Sequence, residues 1–402
     1  MFWHCIHILD IALWLLMAAS VAYILFFALV STLWKKRVSR LTKYLTGQAL
    51  AMRKKEHFSY LILYPAYNED RVIVNSVQKF LAQYYPYSCF HVTVISDHMQ
   101  PETNQKLSEL PITLLQPVFE KSSKAKAMQY AMEQIKEDYD FIVILDADNV
   151  VEPHFLEQLN TECAKGYKAI QCHRCAKNSD NDVAVLDGVS EEINNTIFRK
   201  AHNRIGLSSA LIGSGMCFDF QWFKENVYKL TTAGEDRELE ALLLMQKIYI
   251  HYEPDIHVFD EKVSNKDNFQ KQRLRWMTAQ IQSLFRLLPY IPKAIMTFNL
   301  DFIDKTIQQA LIPRSMLVVG ALGMSLFMTV FSLLFSLSWY IKWWCLFLTV
   351  CIALYIATPK QLRKHSVFGK ILALPKLVWK MAMNILKIDR KNTDFIHTTH
   401  DK

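Results

Sequence analysis

Residues 141–150 read FIVILDADNV, a run of β-branched and aromatic side chains that stops at two carboxylates, Asp146 and Asp148. A short apolar run bounded by polar residues predicts a buried strand. In an open α/β sheet the carboxyl ends of the strands line the crevice where ligands bind. Two Asp residues one position apart at that end can therefore face a hard cation and a diphosphate. The pair has a plainer reading too, as caps of the next helix, with Asn149 and Pro153 marking its start.

Outward from this strand the chain alternates. Strands are predicted at 60–64, 90–96, 112–115 and 169–171, and helices at 71–84, 124–135 and 153–165. Such alternation over 54–268 predicts a mostly parallel sheet covered on both faces. Cys172 and Cys175 form a single C-x-x-C with no second pair at zinc spacing, and Cys172 alternates with Ile170 and Arg174 as on a strand. The eight cysteines are scattered and predict no disulfide framework, which suits a reducing compartment.

The chain has 402 residues, 51% hydrophobic and 21% charged, with a mean hydropathy of +0.06. That balance predicts a soluble domain joined to a few spanning helices. Residues 6–34 are apolar apart from His7 and Asp10 and are long enough to span a bilayer. They lack the charged start and cleavage pattern of a signal peptide, so they predict a retained anchor. Lys35, Lys36, Arg37, Arg40 and Lys43 follow, then Arg53, Lys54 and Lys55, which assigns that side to the cytoplasm. Residues 315–338 and 343–358 carry no charge, are linked through Lys342, and lead into Lys360, Arg363 and Lys364. They predict a hairpin that returns the chain to the same side.

The organisation read this way is an anchor with a basic juxtamembrane segment (1–53), a cytoplasmic domain (54–268), interfacial amphipathic helices (269–314), a transmembrane hairpin (315–358) and a cytoplasmic amphipathic segment (359–402). In the third part Leu274, Met277, Ile281, Leu284 and Leu288 recur at three- and four-residue steps, and Pro289 and Pro292 end the helix. Residues 371–386, with Lys376, Lys380 and Lys387, predict a second such helix; packing on the soluble domain is the alternative for both. The net charge of +8 gathers beside apolar segments rather than on a nucleic-acid face. An integral protein of a plasma or inner membrane follows, with no nucleic-acid partner.

Further motifs can be set around the same crevice. Tyr64-Pro65-Ala66-Tyr67-Asn68-Glu69 follows the first strand, Asp97 ends the second, Gly234-Glu235-Asp236 opens a helix, and Gln272-x-x-Arg275-Trp276 opens the amphipathic one. With these motifs in this order, the chain from about Leu61 to Trp276 resembles the membrane-bound inverting glycosyltransferases of family 2, which include cellulose, chitin and hyaluronan synthases and ceramide glucosyltransferase. The resemblance implies a GT-A-type Rossmann-like mixed sheet domain. It implies that Ala66, Tyr67, Glu69 and Asp97 hold the uridine, that Lys124 reaches the nucleotide, and that Asp146 and Asp148 hold the nucleotide sugar and its Mg2+ or Mn2+. Asp236 would be the general base, and Gln272, Arg275 and Trp276 would line the diphosphate and acceptor. Gly213-Ser214-Gly215 would lie beside the transferred sugar. The chain departs from the family at His98, where a second Asp is common, and at Gly234, where Thr is usual.

Chemistry explains these residue types. A departing nucleotide diphosphate gains negative charge, which a cation held by Asp148 and the guanidinium of Arg275 would stabilise. An acceptor hydroxyl attacks well only when a carboxylate takes its proton. Plainer roles stand beside these: a helix cap for Asp236, a solvated charge for Arg275, a membrane-interface anchor for Trp276, core for Tyr67 and a turn for Asp97. The leading reading is a hexosyltransferase-type enzyme moving sugar from a UDP-sugar to a lipid-linked, oligosaccharide or polysaccharide acceptor. Processive polysaccharide synthesis with export and a catalytically silent nucleotide-sugar-binding subunit are the alternatives, and a homo-oligomer is left open. A dehydrogenase is set aside, because no G-x-G-x-x-G follows the first strand.

Overall fold

The computed structural model describes residues 2–34, 55–178, 182–232, 234–262, 266–335 and 338–363. Most of the basic segment after the first apolar stretch and the helix expected at 371–386 lie outside the described residues.

Helix α1 (Phe2–Leu33) leads to β1 (Tyr60–Tyr67), α2 (Ile73–Leu81), β2 (Phe90–Asp97), α3 (Pro101–Ser108), β3 (Thr113–Leu115), α4 (Lys124–Gln134) and β4 (Phe141–Ile144). Then come β5 (Val150–Val151), α5 (Phe155–Cys163), β6 (Ala169–Ala176), α6 (Asp182–Asn194), a π-helical segment (Asn195–Ala201), β7 (Met216–Asp219) and α7 (Phe220–Asn226). The chain continues through α8 (Glu235–Met245), β8 (Ile250–Asp260), α9 (Lys266–Leu287), α10 (Leu300–Ala310), α11 (Arg314–Phe335) and α12 (Tyr340–Ala357).

The strands form one eight-stranded sheet in the order β3-β2-β1-β4-β7-β6-β8-β5. Its first four strands run parallel, as the alternation with helices predicts. β7 breaks the pattern by pairing antiparallel with both β4 and β6, and β5 runs against β8, so the sheet is mixed although most of its strands run parallel. Successive residues of β1 point to opposite faces: Tyr60, Ile62 and Tyr64 pack with Ile73, Phe80 and Phe155. Leu61 and Leu63 pack with Met128, Phe223 and Leu243. The sequence pattern does not reveal β8, because Pro254 argues against a strand. The structure absorbs it in a register shift, where Cys172 opposes Glu253 and the next residue, His173, opposes His257.

Three helices, α1, α11 and α12, are long and apolar enough to cross a membrane. They pack on one another through Val21, Ile24, Leu317, Ala321, Trp343 and Val350, while Leu9, Leu16, Leu333 and Ile352 stay outward. At 32 residues, α1 is about 48 Å long, well beyond the roughly 30 Å hydrocarbon layer. Its surplus docks on the domain that carries the sheet. The Tyr23 hydroxyl donates to Asp304 Oδ1 at 2.7 Å, Phe27 stacks on His202 with ring centroids 3.8 Å apart, and Arg204 donates to the Ser31 carbonyl.

At the other end, Asp10 is buried among the three helices, where Lys342 pairs with it and Trp343 Nε1 donates to it at 2.8 Å. Asp10→Leu strands the Lys342 ammonium against apolar neighbours. Since Lys342 is a quarter exposed, we expect a loss on the order of 2–3 kcal/mol, below that for a wholly buried pair. Asp10→Leu with Lys342→Met should recover most of it. Thermal unfolding in detergent checks both, and equal stability of the single variant and the parent protein contradicts the pairing.

Candidate active site

The parallel register brings the carboxyl ends of β1, β2 and β4 to one edge of the sheet, with Tyr67 opposite Asp97. There the chain opens a cleft of about 360 Å³, within the range of small-molecule sites. It is lined by Ala66, Tyr67, Glu69, Asp97, Lys124, Asp146, Asp148, Gly213, Asp236, Gln272, Arg275 and Trp276 among others. Two residues of the expected set, Ser214 and Gly215, do not line it.

Local turns aim these groups. Asn68 and His98 take positive φ (54° and 58°) directly after β1 and β2, a conformation that Asn and His adopt more readily than most residues. His98 Nδ1 lies 2.5 Å from Asp97 Oδ1, so the residue that departs from the family pattern serves as a partner of Asp97. After β4, Asn149 organises the Asp-x-Asp loop. Its Oδ1 accepts from Asp146 N at 2.9 Å and from the Ser214 hydroxyl, and its Nδ2 donates to Asp148 Oδ1 at 3.0 Å. Glu261 N donates to the other Asp148 oxygen at 2.8 Å. Ser214, fully buried, therefore supports the loop from behind.

Lys124 opens α4 and reaches Asp146, the Gly213 carbonyl (2.6 Å) and Glu235 (3.7 Å). Burial disfavours its ammonium, but Asp146 and Glu235 outweigh that and raise its pKa above the usual lysine value. On the opposite wall, Glu235 and Asp236 occupy the first turn of α8, where the helix dipole favours carboxylates. Asp236 Oδ1 accepts from Arg237 N at 2.8 Å. A Cβ built on Gly213 would sit 3.8 Å from Asp236 Oδ2 and 3.9 Å from Glu235 Oε1. Lys124 thus links Asp146 and the Gly213 carbonyl to Glu235, with Asp236 next to it in the same cleft. Burial pushes the Glu235 carboxyl up to about 7; Lys124 opposes that shift and Asp236 adds to it.

Gln272, Arg275 and Trp276 stand at i, i+3 and i+4 on α9, a spacing that shares one helix face, and that face closes the cleft with Ala279. The intervening Arg273 pairs with Asp187 at 2.5 Å and lies over the Trp276 ring at 4.7 Å.

A charged lattice along the rest of the wall has no counterpart in the sequence motifs. Glu191 sits between Arg174 (3.1 Å) and Arg199 (3.2 Å), and Asp260 meets Lys262 at 2.9 Å and Arg174 at 3.5 Å. Burial alone would raise the Glu191 pKa; the two guanidiniums reverse this and hold it at about 2. These residues come from β6, α6, the π-helical segment and the end of β8, and no local pattern marks them.

The site suits an oxygen-liganded divalent cation. Burial, and then the charges of Asp148, Asp146 and Glu261, push Glu69 up to about 8. Asp146 and Asp148 line the cleft together with Glu69 and Glu261, and carboxylates are the oxygen donors that Mg2+ or Mn2+ takes.

Gly215 has a structural task. Its N–H donates to the Ile144 carbonyl at 2.9 Å and its own carbonyl accepts from Cys172 at 2.8 Å, tying β4 to β6. Its φ is +63°, and an added Cβ would stand 2.9 Å from Val258 Cγ2. Gly215→Ala should cost roughly 2–4 kcal/mol in unfolding free energy through left-handed strain and overpacking. Val258→Ala in the same protein should return part of that; an unchanged unfolding midpoint for Gly215→Ala contradicts this role.

No curated protein matches the sequence. Among solved structures, the chain is similar to a mannosyltransferase from Pyrobaculum calidifontis in complex with GDP-Man and Mn2+, at 15% identity and a TM-score of 0.46, covering 85% of this chain and 98% of that one. It is also similar to S. aureus TarS 1-349 in complex with UDP-GlcNAc, at 12% identity and a TM-score of 0.42, covering 83% of this chain and 95% of that one. The family model described as glycosyltransferase like family 2 matches residues 58–279, more than half of the chain and every element that builds the cleft. On that match the chain belongs to glycosyltransferase family 2.

Proposed function

We propose that the protein is an inverting glycosyltransferase that moves a sugar from a nucleotide-sugar donor, a UDP-sugar in our reading, to an acceptor hydroxyl at the cytoplasmic face of a membrane. The observation that carries the reading is the line of contact from Asp146 through Lys124 to Glu235, with Asp236 beside it on the first turn of α8, inside one cleft walled by Arg275 and Trp276. It sets a diphosphate-binding edge opposite a carboxylate wall.

Tyr67, Glu69 and Asp97 would hold the base and ribose end of the donor, and Asp148 with Asp146 would hold the divalent cation. When bound, that cation supplies positive charge against the leaving diphosphate. Arg275 faces the same charge from α9 and stabilises it as it develops. Asp236 accepts the proton of the acceptor hydroxyl, and attack from the face opposite the diphosphate inverts the anomeric centre without a covalent intermediate. Glu235, whose carboxyl titrates near neutrality beside Lys124, is the nearest alternative base.

Limited transfer is favoured over processive export. The interior of the three-helix bundle is filled by Val21, Ile24, Ala321, Trp343, Val350 and Ala353, each at most 1% exposed, which leaves no polymer path between these helices among the described residues. A lipid-linked or oligosaccharide acceptor fits a site docked on the inner end of α1.

Asp236→Asn keeps the size and the Oδ1 that accepts from Arg237 N but cannot take the proton. We expect turnover to fall on the order of 10²–10⁴-fold with donor binding nearly intact, measured by UDP-sugar transfer and by equilibrium binding on the purified protein. Near-parental turnover would pass the role to Glu235.

Chelation should abolish transfer, and Mg2+ or Mn2+ should restore it. Asp148→Asn should weaken donor binding in the presence of the cation and leave the unfolding transition in place. Full transfer in excess chelator sinks this part of the reading.

A further inference from the structure

At the edge of the sheet opposite the cleft, β8 carries His251 and Glu253 near its start, and α5 ends beside them with Glu162. All three are buried, at 1%, 7% and 8% exposure for His251, Glu253 and Glu162. Neither ring nitrogen of His251 has a hydrogen-bond partner, nor does Glu162 Oε2. Buried polar atoms without partners are uncommon and call for a specific cause. The distances supply one. His251 Nε2 lies 3.3 Å from Glu162 Oε2 and 3.4 Å from Glu253 Oε2, longer than the roughly 2.7–2.9 Å of a charge-assisted hydrogen bond. Ligands about 2.0–2.2 Å from one tetrahedral zinc ion stand about 3.3–3.5 Å apart, which is the spacing of the histidine to each carboxylate, and all three donor atoms lie within 4.8 Å of one another.

The remaining atoms hold the three donors in place. Glu162 Oε1 accepts from Lys165 Nζ at 2.6 Å, which leaves Oε2 turned to the histidine. Tyr167 stacks on the His251 ring with centroids 3.6 Å apart at 16°. Glu253 Oε1 accepts from Asp255 N at 3.4 Å. The hydrogen bonds to the two carboxylates are of the kind that orient metal-ligating side chains, while the stacked Tyr167 fixes the plane of the imidazole. Two carboxylates and a neutral imidazole also balance the charge of a divalent ion in a buried setting. The other cluster of metal-binding residue types, His173, Cys175 and His257, lacks this signature: His173 Nδ1 lies 2.9 Å from the Pro254 carbonyl oxygen and its Nε2 lies 2.9 Å from Glu192.

We propose that Glu162, His251 and Glu253 form a structural zinc site that pins the C-terminal end of α5 to the start of β8, separate from the cation of the cleft. The full-length protein in detergent, loaded with Zn2+ and dialysed against metal-free buffer, should retain one equivalent by elemental analysis. Asp148→Asn should retain the same amount, which separates this site from the cleft. His251→Ala should retain none, and the milder Glu253→Gln should hold it more than tenfold more weakly. Co2+ loading of the parent protein should give the visible d–d bands of a four- or five-coordinate ion, a readout that needs no variant. Failure of the parent protein to retain zinc, or equal retention by a folded His251→Ala, overturns the proposal.

Discussion

Glu69, Asp97, Asp146 and Asp148 crowd one edge of the sheet because parallel neighbours end at the same level, and like charges so close together must be compensated. Lys124 provides a built-in compensation. It is the first residue of α4, where a cation opposes the helix dipole, and it is held there by Asp146 and the Gly213 carbonyl. That one side chain joins the strand-end carboxylates to the loop that faces α8. The rest of the cleft is arranged around it: Asn149 and Ser214 brace the Asp-x-Asp loop from behind, and Glu261 N fixes Asp148 from the end of β8.

The wall that closes the cleft also carries the connection to the spanning helices. α6 and the π-helical segment present Glu191 and Arg199 to the cleft, while Ile193 and Ile197 of the same stretch pack with Val21 and Ile24 of α1. A helix with one charged face inward and one apolar face outward is amphipathic, but here both faces are buried against protein. Breaking the Arg174–Glu191–Arg199 arrangement would leave uncompensated charge in the cleft wall, on the same stretch of chain that packs against α1.

Much of the cleft edge is legible in the chain itself. FIVILDADNV is a strand with acids at its end, and most of the strands, helices and spanning segments follow from local periodicity and charge. β8 is hidden by Pro254, and the antiparallel insertion of β7, only four residues long, leaves no signal that pattern reading could separate from a loop. The family resemblance places Gly213-Ser214-Gly215 beside the transferred sugar, and of the three only Gly213 lines the cleft. The Ser214 hydroxyl accepts from Asp146 N and donates to Asn149 Oδ1, and a Cβ on Gly215 would meet Val258, so both positions face into the protein.

Which segments become strands, helices and spans, and which carboxylates stand at strand ends, depends on residues a few positions apart, so the linear chain specifies them. The partners come from the fold. That Lys124 neutralises Asp146, that Glu191 sits between two arginines, and that His251 meets Glu162 from a neighbouring helix all depend on side chains far apart in the chain. Their burial and charge are felt only once folding has excluded water and lowered the local dielectric. A periodic pattern encodes which face is buried; it carries no record of what the buried group will meet.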